Sequence, residues 1–431
     1  MSGSDPAFVL FGDLPKLGPY LDHLVRRGLR PLVVTTPPST AGERRAAAAV
    51  DEPDHPLNAV REVLFATPGD EPTVVERVRQ WARSYRVRGL FTSGETFVEP
   101  ANVAADLLGL PAPGLRAGKV CRNKLLQRSY LTPWSPRYEL VDPRRPRLVA
   151  VDLPAVVKPL RLYSSIGVRR VTDARSLETA CSVLAEQEAV LVEEHVSGRE
   201  VSVESISRRG QVVFESVTLK GTNESRSVFF VEMAHTVPCT GLAEAERRRL
   251  LNVHRTILDR LGFGSGMAHG EYRVAQDGRI VLMEVAARAP GGGILALYHL
   301  TTGMSLESAV VDVALDEHVA VPPAKRFARQ IYLDHVPGYL RDVDVRGLDG
   351  VSPTWLAETG IWPPVFAGAP GDAADVRALL VLKARGEMLE PIAEAGNRAV
   401  TALFDAPDEA GLDAVETRFR EAIALKTSAA A

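Results

Sequence analysis

Apolar and polar positions repeat in a recognisable order over the first hundred residues. An apolar run at 7–11 is followed by Gly12-Asp13, an amphipathic stretch at 19–27 and a second apolar run at 31–35. The helical spacing returns at 73–85, a strand-like run follows at 89–92, and another helical stretch occupies 99–108. Strands and helices alternating in this way predict a parallel α/β layer. The loops after Phe11 and Thr92 then fall at the carboxyl ends of strands, where open α/β sheets bind ligands. No Gly-x-Gly-x-x-Gly occurs there, so a dinucleotide is not indicated.

Residues 111–118 are rich in Pro and Gly and predict a linker. Beyond it, 122–128 reads as helix, 155–159, 190–196, 200–204 and 211–217 as strands, with a turn at Arg209-Gly210, and 247–261 as an amphipathic helix ending at Gly262. Apolar alternation at 267–275 and 279–286 flanks Asp277-Gly278, the strongest short hairpin signal. With Asp277 and Gly278 as a two-residue loop, Glu271 lies opposite Glu284 and His269 opposite Ala286, all on one face. A helix follows at 304–315. From about residue 322 the pattern changes to short strands at 330–335 and 347–351, a helix near 391–404, a final helix at 411–425 and an Ala-rich tail expected to be disordered.

Candidate chemistry sits on these elements. Like charges facing across a sheet cost up to about 1 kcal/mol, so Glu271 and Glu284 imply something cationic between them, unless they lean apart on a solvated face. Magnesium suits one or two carboxylates plus water and phosphate oxygens. Lys158 stands inside an apolar strand, where an unpaired ammonium is costly, and the Ser164-Ser165-Ile166-Gly167-Val168 loop offers backbone N–H groups to an anion. That combination suits a polyphosphate, although it is not a Walker motif. Lys124 alone on a helix would ordinarily be solvated. Glu200 opens a strand after a turn, where it could accept from ribose hydroxyls or solvate an edge. Arg288 precedes Ala-Pro-Gly-Gly-Gly, a loop that permits close backbone approach to a ligand.

The 431 residues are 45% hydrophobic and 24% charged, with net charge −3, the composition of ordinary globular domains, two to four of them. No basic run is dense enough to make nucleic acid the expected partner. Cys121, Cys181 and Cys239 are odd in number and far apart, against a disulfide framework or zinc site. No apolar run is long enough for a membrane span and no charged leader precedes one, so a cytoplasmic protein is expected.

Taken in order, Lys124, Lys158, the 164–168 loop, Glu193-Glu194-His195-Val196 with Gly198-x-Glu200, and Glu271 and Glu284 followed by Arg288 resemble the ATP-grasp superfamily. The resemblance reaches about residue 310. It implies a chain of α/β and α+β parts in the ATP-grasp fold. The parts are an N-terminal parallel α/β pre-ATP-grasp domain at 1–118 and a core at 119–315, whose ATP-lid subdomain spans about 155–218 beside a central antiparallel sheet. A C-terminal α+β subdomain follows at 320–431. In the family pattern Lys124 and Lys158 contact the phosphates of ATP, Ser164, Ser165 and Gly167 fold over them, and the backbone at Glu194 and Val196 reads adenine. Glu193 lies near the adenine amino group, Glu200 binds ribose, and Glu271 and Glu284 hold magnesium. One or two ions are implied, with manganese able to substitute.

Within the superfamily, His269, the Glu232-x-x-His235-x-x-Pro238 stretch and the Glu284-x-x-x-Arg288 spacing are similar to the L-amino acid ligases of the bacilysin type and to carnosine synthases. That likeness implies an ADP-forming carboxylate–amine ligase of specialised metabolism, acting through an acyl phosphate on a small carboxylate and an amine. Arg288, His269 and His235 are the implied catalytic residues. Met233, Gly291 to Gly293, Gly94 and Glu95 are candidates for the substrate pocket, and a homodimer is implied. Ala286 departs from the pattern, since many relatives carry there an asparagine that completes a second metal site. Two other readings compete: a carboxylase-like enzyme using bicarbonate, and a nucleotide-binding homologue without catalysis, which Ala286 alone favours.

Overall fold

Alternating strands and helices in the first hundred residues fold as expected into a parallel sheet, ordered Glu62–Phe65, Arg30–Thr35, Pro6–Phe11, Arg86–Thr92. The computed structural model describes residues 5–148 and 150–428, and the last residues of the Ala-rich tail lie outside them. Ala7, Val9, Phe11, Leu32 and Val34 bury one face against Val74, Val78 and Trp81 of the Glu71–Ser84 helix and Ala101, Ala104 and Ala105 of the Val98–Leu108 helix. Within this layer the sequence reading missed the Ala41–Ala49 helix and the Glu62–Phe65 strand; further on it also missed the Tyr138–Val141, Arg169–Val171 and Asp375–Val381 strands and the Ala174–Val183 helix. The Ala41–Ala49 helix carried a signal, because Thr40 accepts from the Glu43 N–H at 3.2 Å while Glu43 caps the Thr40 N–H at 2.9 Å.

The supposed linker is only partly irregular. A helix, Leu115–Cys121, starts inside it, and a second, Lys124–Tyr130, begins where Asn123 caps the Leu126 N–H. A small sheet follows, ordered Tyr138–Val141, Val190–Glu194, Ala155–Pro159, Arg169–Val171, closed on one side by the Ala174–Val183 helix.

A nine-stranded sheet carries the rest. Its order is Ile280–Ala286, Gly266–Ala275, Gly198–Arg208, Gln211–Thr222, Glu232–Val237, Phe327–Tyr332, Val400–Ala406, Asp375–Val381, Thr354–Trp355. One face of its first strands is apolar: Val201, Val203, Val217, Tyr272, Val274 and Leu282 pack on the Glu244–Leu261 helix through Leu250, Ile257, Leu258 and Leu261. Each such side chain contributes about 1.5–3 kcal/mol on burial. That helix opens with Glu246 accepting from the Ala243 N–H and ends at Gly262 in the left-handed conformation. On the opposite face Ile206 and Met267 pack under the Ile294–Thr302 and Leu306–Ala314 helices. No single helix among the described residues is long and apolar enough to cross a membrane; those two pass a length-and-composition test only jointly, bent by 103°.

The C-terminal expectations need correcting. Residues 391–404 hold a short 3-10 turn, Ala395–Asn397, and the Val400–Ala406 strand instead of a helix. Every residue of that strand is buried, so no alternation marked it. No strand forms at 347–351, where the chain turns through Gly347 and Gly350 at positive φ. The strand expected at 330–335 is Phe327–Tyr332, and the last helix, Glu409–Ala422, gives way to the Ile423–Ser428 strand.

Candidate active site

The exposed half of the central sheet's second face is polar, and strand pairing explains how. Glu200 pairs with Arg273, Ser202 with Glu271 and Glu204 with His269, while Ser202 also faces Thr218 and Lys220 pairs with His235. Alternate residues share a face, so this polar stripe runs across neighbouring strands and floors a cleft of about 220 Å³.

At the hairpin, Glu271 pairs with Glu284 and His269 with Ala286, as the two-residue loop predicted. The route differs. Val274 pairs with Ile280 and the Ala275 N–H bonds to Arg279, so the loop has one residue more than expected. A register shift beside Tyr272 then restores the pairing. The extra residue is Met283, and the irregularity leaves both Met283 and Glu284 on the cleft wall.

At one end of the cleft, Lys158 Nζ lies 2.7 Å from Glu193, which Arg128 also grips at 2.6 Å. Arg128 and Glu193 are 0% and 1% exposed. Burial would raise the Glu193 pKa, but the Arg128 and Lys158 charges hold it down at about 2. Lys124 Nζ donates to the Leu162 carbonyl at 2.7 Å and to Glu284 at 3.2 Å. Ser164 and Ser165 both line the cleft in the left-handed region, φ 57° and 61°, and Ser165 Oγ donates to the Phe230 carbonyl. Gly167, at φ 73°, backs onto Leu184 rather than the cleft. Glu194, His195, Val196 and Glu200 complete this end. Glu200 accepts from Arg273 at 2.7 Å, and Glu194 from Arg137 at 3.0 Å.

Lys220 lies behind the lining, where the carboxylates of Glu200, Glu232 and Glu271 meet. Its fully buried side chain contacts Glu232 and lies 2.5 Å from Glu271 and 3.7 Å from Glu200. Burial would lower its pKa, but these carboxylates outweigh burial and raise it well above the ordinary lysine value. Glu271 in turn is held at about 2: burial raises it, and Lys220 and His269 lower it further. His269 Nδ1 meets Glu204 at 2.9 Å and Nε2 meets Glu271 at 3.2 Å. Despite burial, those two carboxylates push its pKa up to about 9. Glu204 is braced by Ser202, Thr218 and Tyr298.

At the far end Arg288 pairs with Glu95, which also binds Arg122 at 2.7 Å. His235 is fully buried, with Nε2 at 2.9 Å from Glu232 and Nδ1 at 3.2 Å from Gln330, so it reaches the cleft through Glu232. Gly292, at φ 61°, runs so close to Tyr332 Oη and Gln330 that a Cβ there would stand 2.9 Å and 3.1 Å from them. Lys16, Ala395 and Arg398 also line the cleft, and the Ala395 N–H donates to the Ser164 carbonyl at 3.0 Å.

Thus Lys124, Lys158, Ser164, Ser165, Glu193, Glu194, Val196, Glu200, Glu271, Glu284, His269 and Arg288 all line one cleft, together with Gly291 and Gly292; Gly167 and His235 stand just behind it. Sequence reasoning passed over Lys220, Arg273, Glu204, Arg128, Lys16 and Arg398. Lys220 alone had a signal, an ammonium continuing a strand whose other inward residues are polar. Glu271 and Glu284 are 23% and 22% exposed and face the cleft, a donor pair that fits magnesium held also by water and phosphate. Among the described residues no His, Cys, Asp and Glu cluster forms a closed metal cage.

Residues 151–296 match the family model for the ATP-grasp domain. The alanine–anticapsin ligase of Bacillus subtilis strain 168 is 22% identical over 274 residues, covering 56% of this chain and 57% of that protein. A D-alanine–D-alanine ligase of Azoarcus is 27% identical over 48% of this chain and 71% of its own. The chain therefore aligns with little more than half the length of the anticapsin ligase. Among solved structures, an L-amino acid ligase from Bacillus licheniformis superposes with TM-score 0.77 at 22% identity, over 99% of this chain and 100% of the other. A phosphoribosylglycinamide synthetase from Anaerococcus prevotii does so at 0.68 and 12%, over 98% and 100%. An ATP-grasp domain match thus spans the Ala155–Pro159 strand through the carboxylate hairpin, and along nearly its whole length the chain shares the fold of an L-amino acid ligase, to which it is similar.

Proposed function

We propose that the protein is an ADP-forming carboxylate–amine ligase that joins a small carboxylic or amino acid to an amine. The observation that carries the reading is the Glu271–Glu284 pair, held in register across the hairpin and sharing one cleft with Lys124, Lys158 and Arg288. A carboxylate resists amines because its leaving group would be oxide. In the proposed reaction a carboxylate oxygen attacks the γ-phosphorus of ATP, the bond to ADP breaks, and an acyl phosphate forms. The amine nitrogen then attacks the acyl carbon, the carbon–oxygen bond breaks, phosphate leaves, and the nitrogen gives up a proton.

The chain's residues supply position and charge. Glu271 and Glu284 would hold magnesium, which would supply positive charge to the phosphate oxygens. Lys124 and Lys158 exchange their glutamate partners for phosphate oxygens, and the Ser164 and Ser165 backbone covers them. Arg288, pinned by Glu95, meets the phosphoryl group as its charge develops. His269 holds Glu271, and His235 holds Glu232, from behind. The lid strands bearing Lys158 close over the acyl phosphate and keep water out.

The test is phosphate release from ATP and magnesium across paired amino acids and small carboxylic acids, with mass spectrometry of each active mixture. A product lighter than its two precursors by one water is expected. Release stimulated by bicarbonate alone overturns the reading in favour of a carboxylase. Glu284→Gln is expected to abolish turnover while far-UV circular dichroism is unchanged, and undiminished magnesium-dependent turnover would sink the metal assignment.

A further inference from the structure

Arg273 stands directly across from Glu200 in the pairing of the Gly266–Ala275 and Gly198–Arg208 strands, and both side chains line the cleft. Opposite charges paired in this way hold one another in place, and here the cation is enclosed, with Arg273 only 3% exposed. Its guanidinium makes three kinds of contact. Nη2 donates to Glu200 Oε2 at 2.7 Å and to Glu224 Oε2 at 2.6 Å, while Nη1 donates to the Val196 carbonyl at 2.9 Å. The Phe230 ring centroid lies 5.5 Å from the guanidinium carbon.

A planar fork held by this many partners has one orientation, and that orientation fixes what it holds. Glu200 gives Oε2 to the fork. Its other oxygen, Oε1, has Lys220 Nζ at 3.7 Å, beyond hydrogen-bond length, and among the described residues it accepts no hydrogen bond. A carboxylate oxygen with open lone pairs, aimed by the bond its twin makes, is therefore presented on the cleft wall. Glu224 comes from a loop closed at its base by Asn223 and Val231, and it keeps the Arg273 charge matched while Glu200 accepts from a ligand. The same fork fixes the Val196 peptide from its carbonyl side. One side chain thus sets both groups that the family pattern gives to the nucleoside.

We propose that Arg273 is a positioning residue for nucleoside recognition: it presents Glu200 Oε1 to the ribose hydroxyls, and through it the protein selects a ribonucleotide over a deoxyribonucleotide. The proposal rests on the family pattern's placement of ribose at Glu200 and is independent of whether an amine is ligated. A hydroxyl donating to a carboxylate makes a charge-assisted bond, whose loss changes affinity by about 10- to 100-fold. A glutamate released from the fork redistributes among rotamers and loses that selectivity although its carboxylate is still present.

The experiment titrates ADP, 2′-deoxy-ADP and 3′-deoxy-ADP calorimetrically, with magnesium, into the wild type, Arg273→Gln, Arg273→Lys and Glu200→Gln. The quantity read is the ratio of affinities within each protein, which a general loosening of the cleft does not alter. The wild type is expected to bind ADP about 10- to 100-fold tighter than at least one deoxy form. Arg273→Gln and Glu200→Gln are expected to bring that ratio towards one, and Arg273→Lys, which keeps the charge without the fork, to retain part of it. Equal weakening of all three nucleotides in Arg273→Gln, with the ratio intact, gives Arg273 a structural role only and overturns the proposal. A ratio that collapses in Glu200→Gln but not in Arg273→Gln also overturns it, and leaves ribose at Glu200. If Arg273→Gln fails to fold, Arg273→Lys decides: a ratio below the wild type's supports the proposal and an unchanged one overturns it. A wild-type ratio of one, or one that Glu200→Gln does not change, removes ribose from Glu200 and overturns the proposal with it, while ligation of paired acids and amines still tests the ligase reading separately.

Discussion

Lys220 makes the residue-scale case for why the cleft holds together without a ligand. Its ammonium is fully buried and touches the carboxylates of Glu232 and Glu271, with Glu200 next in range. Removing one partner of a buried ionic cluster leaves the others uncompensated, at a cost of about 3–5 kcal/mol. Lys220→Met is therefore expected to lower the unfolding free energy by about that amount, measured by urea denaturation. It has a second signature: magnesium should stabilise the variant more than the wild type, because the carboxylates it leaves exposed to one another include the proposed ligand Glu271. Equal magnesium shifts in the two proteins would remove Glu271 from the metal site. The position was illegible in the sequence because a strand lysine looks the same whether it meets solvent or three glutamates. The carboxylates were legible as a facing pair, and the cation the pairing demanded is, in this structure, a lysine on either side.

At the scale of elements, the strand 266–275 must satisfy both its faces. His269, Glu271 and Arg273 look into the cleft, while Ala268, Gly270, Tyr272 and Val274 press on the Glu244–Leu261 helix. There His254 bridges Tyr272 Oη and Ser205 Oγ, each at 2.8 Å. A Cβ on Gly270 would stand 2.8 Å from both His254 Nδ1 and Tyr272 Oη, neither of which can swing away from a packed core. Gly270→Ala is expected to cost about 1–3 kcal/mol by thermal or chemical unfolding. Burial also holds the His254 pKa down at about 3, below the ordinary 6.5. Between those values the unfolded chain binds a proton that the folded chain refuses, so acidification from pH 6.5 towards 3 removes about 1.4 kcal/mol per unit. His254→Gln retains an amide for the two hydroxyls and does not titrate. Its melting temperature should fall less steeply than the wild type's between pH 6.5 and 4, and parallel curves would refute the linkage. Periodicity showed this strand and helix because each has one apolar side. It failed at Val400–Ala406, buried throughout, where a strand and a helix look alike. It also gave the hairpin's register through two departures, a longer loop and the Met283 irregularity, that cancel before Glu271.

Across the whole molecule, Glu193 ties together parts that the sequence presents as separate. It lies on the Val190–Glu194 strand, grips Arg128 from the Lys124–Tyr130 helix and Lys158 from the neighbouring Ala155–Pro159 strand, and Arg128 extends to the Met283 carbonyl on the hairpin at 2.7 Å. The small four-stranded sheet, the Lys124–Tyr130 helix and the carboxylate hairpin thus share one buried charge cluster. The family pattern assigns Glu193 to the adenine amino group, a role that would cost nucleotide affinity alone if removed. The ion pairs assign it a structural role as well, and the two are separable. Glu193→Gln is expected to lose about 3–5 kcal/mol of stability without any nucleotide, because Arg128 and Lys158 are left buried without their counter-charge. The pH dependence gives an independent reading. The folded pKa is about 2 and the ordinary one is 4.5, so the unfolded chain takes up the proton first. The stabilisation is complete above pH 4.5 and is lost as pH falls towards 2, at about 1.4 kcal/mol per unit. Wild type and variant should converge in stability across that window. A variant as stable as the wild type at pH 7, but weak in ADP binding, would return Glu193 to the adenine pocket alone and leave the lid coupled to the hairpin by other contacts.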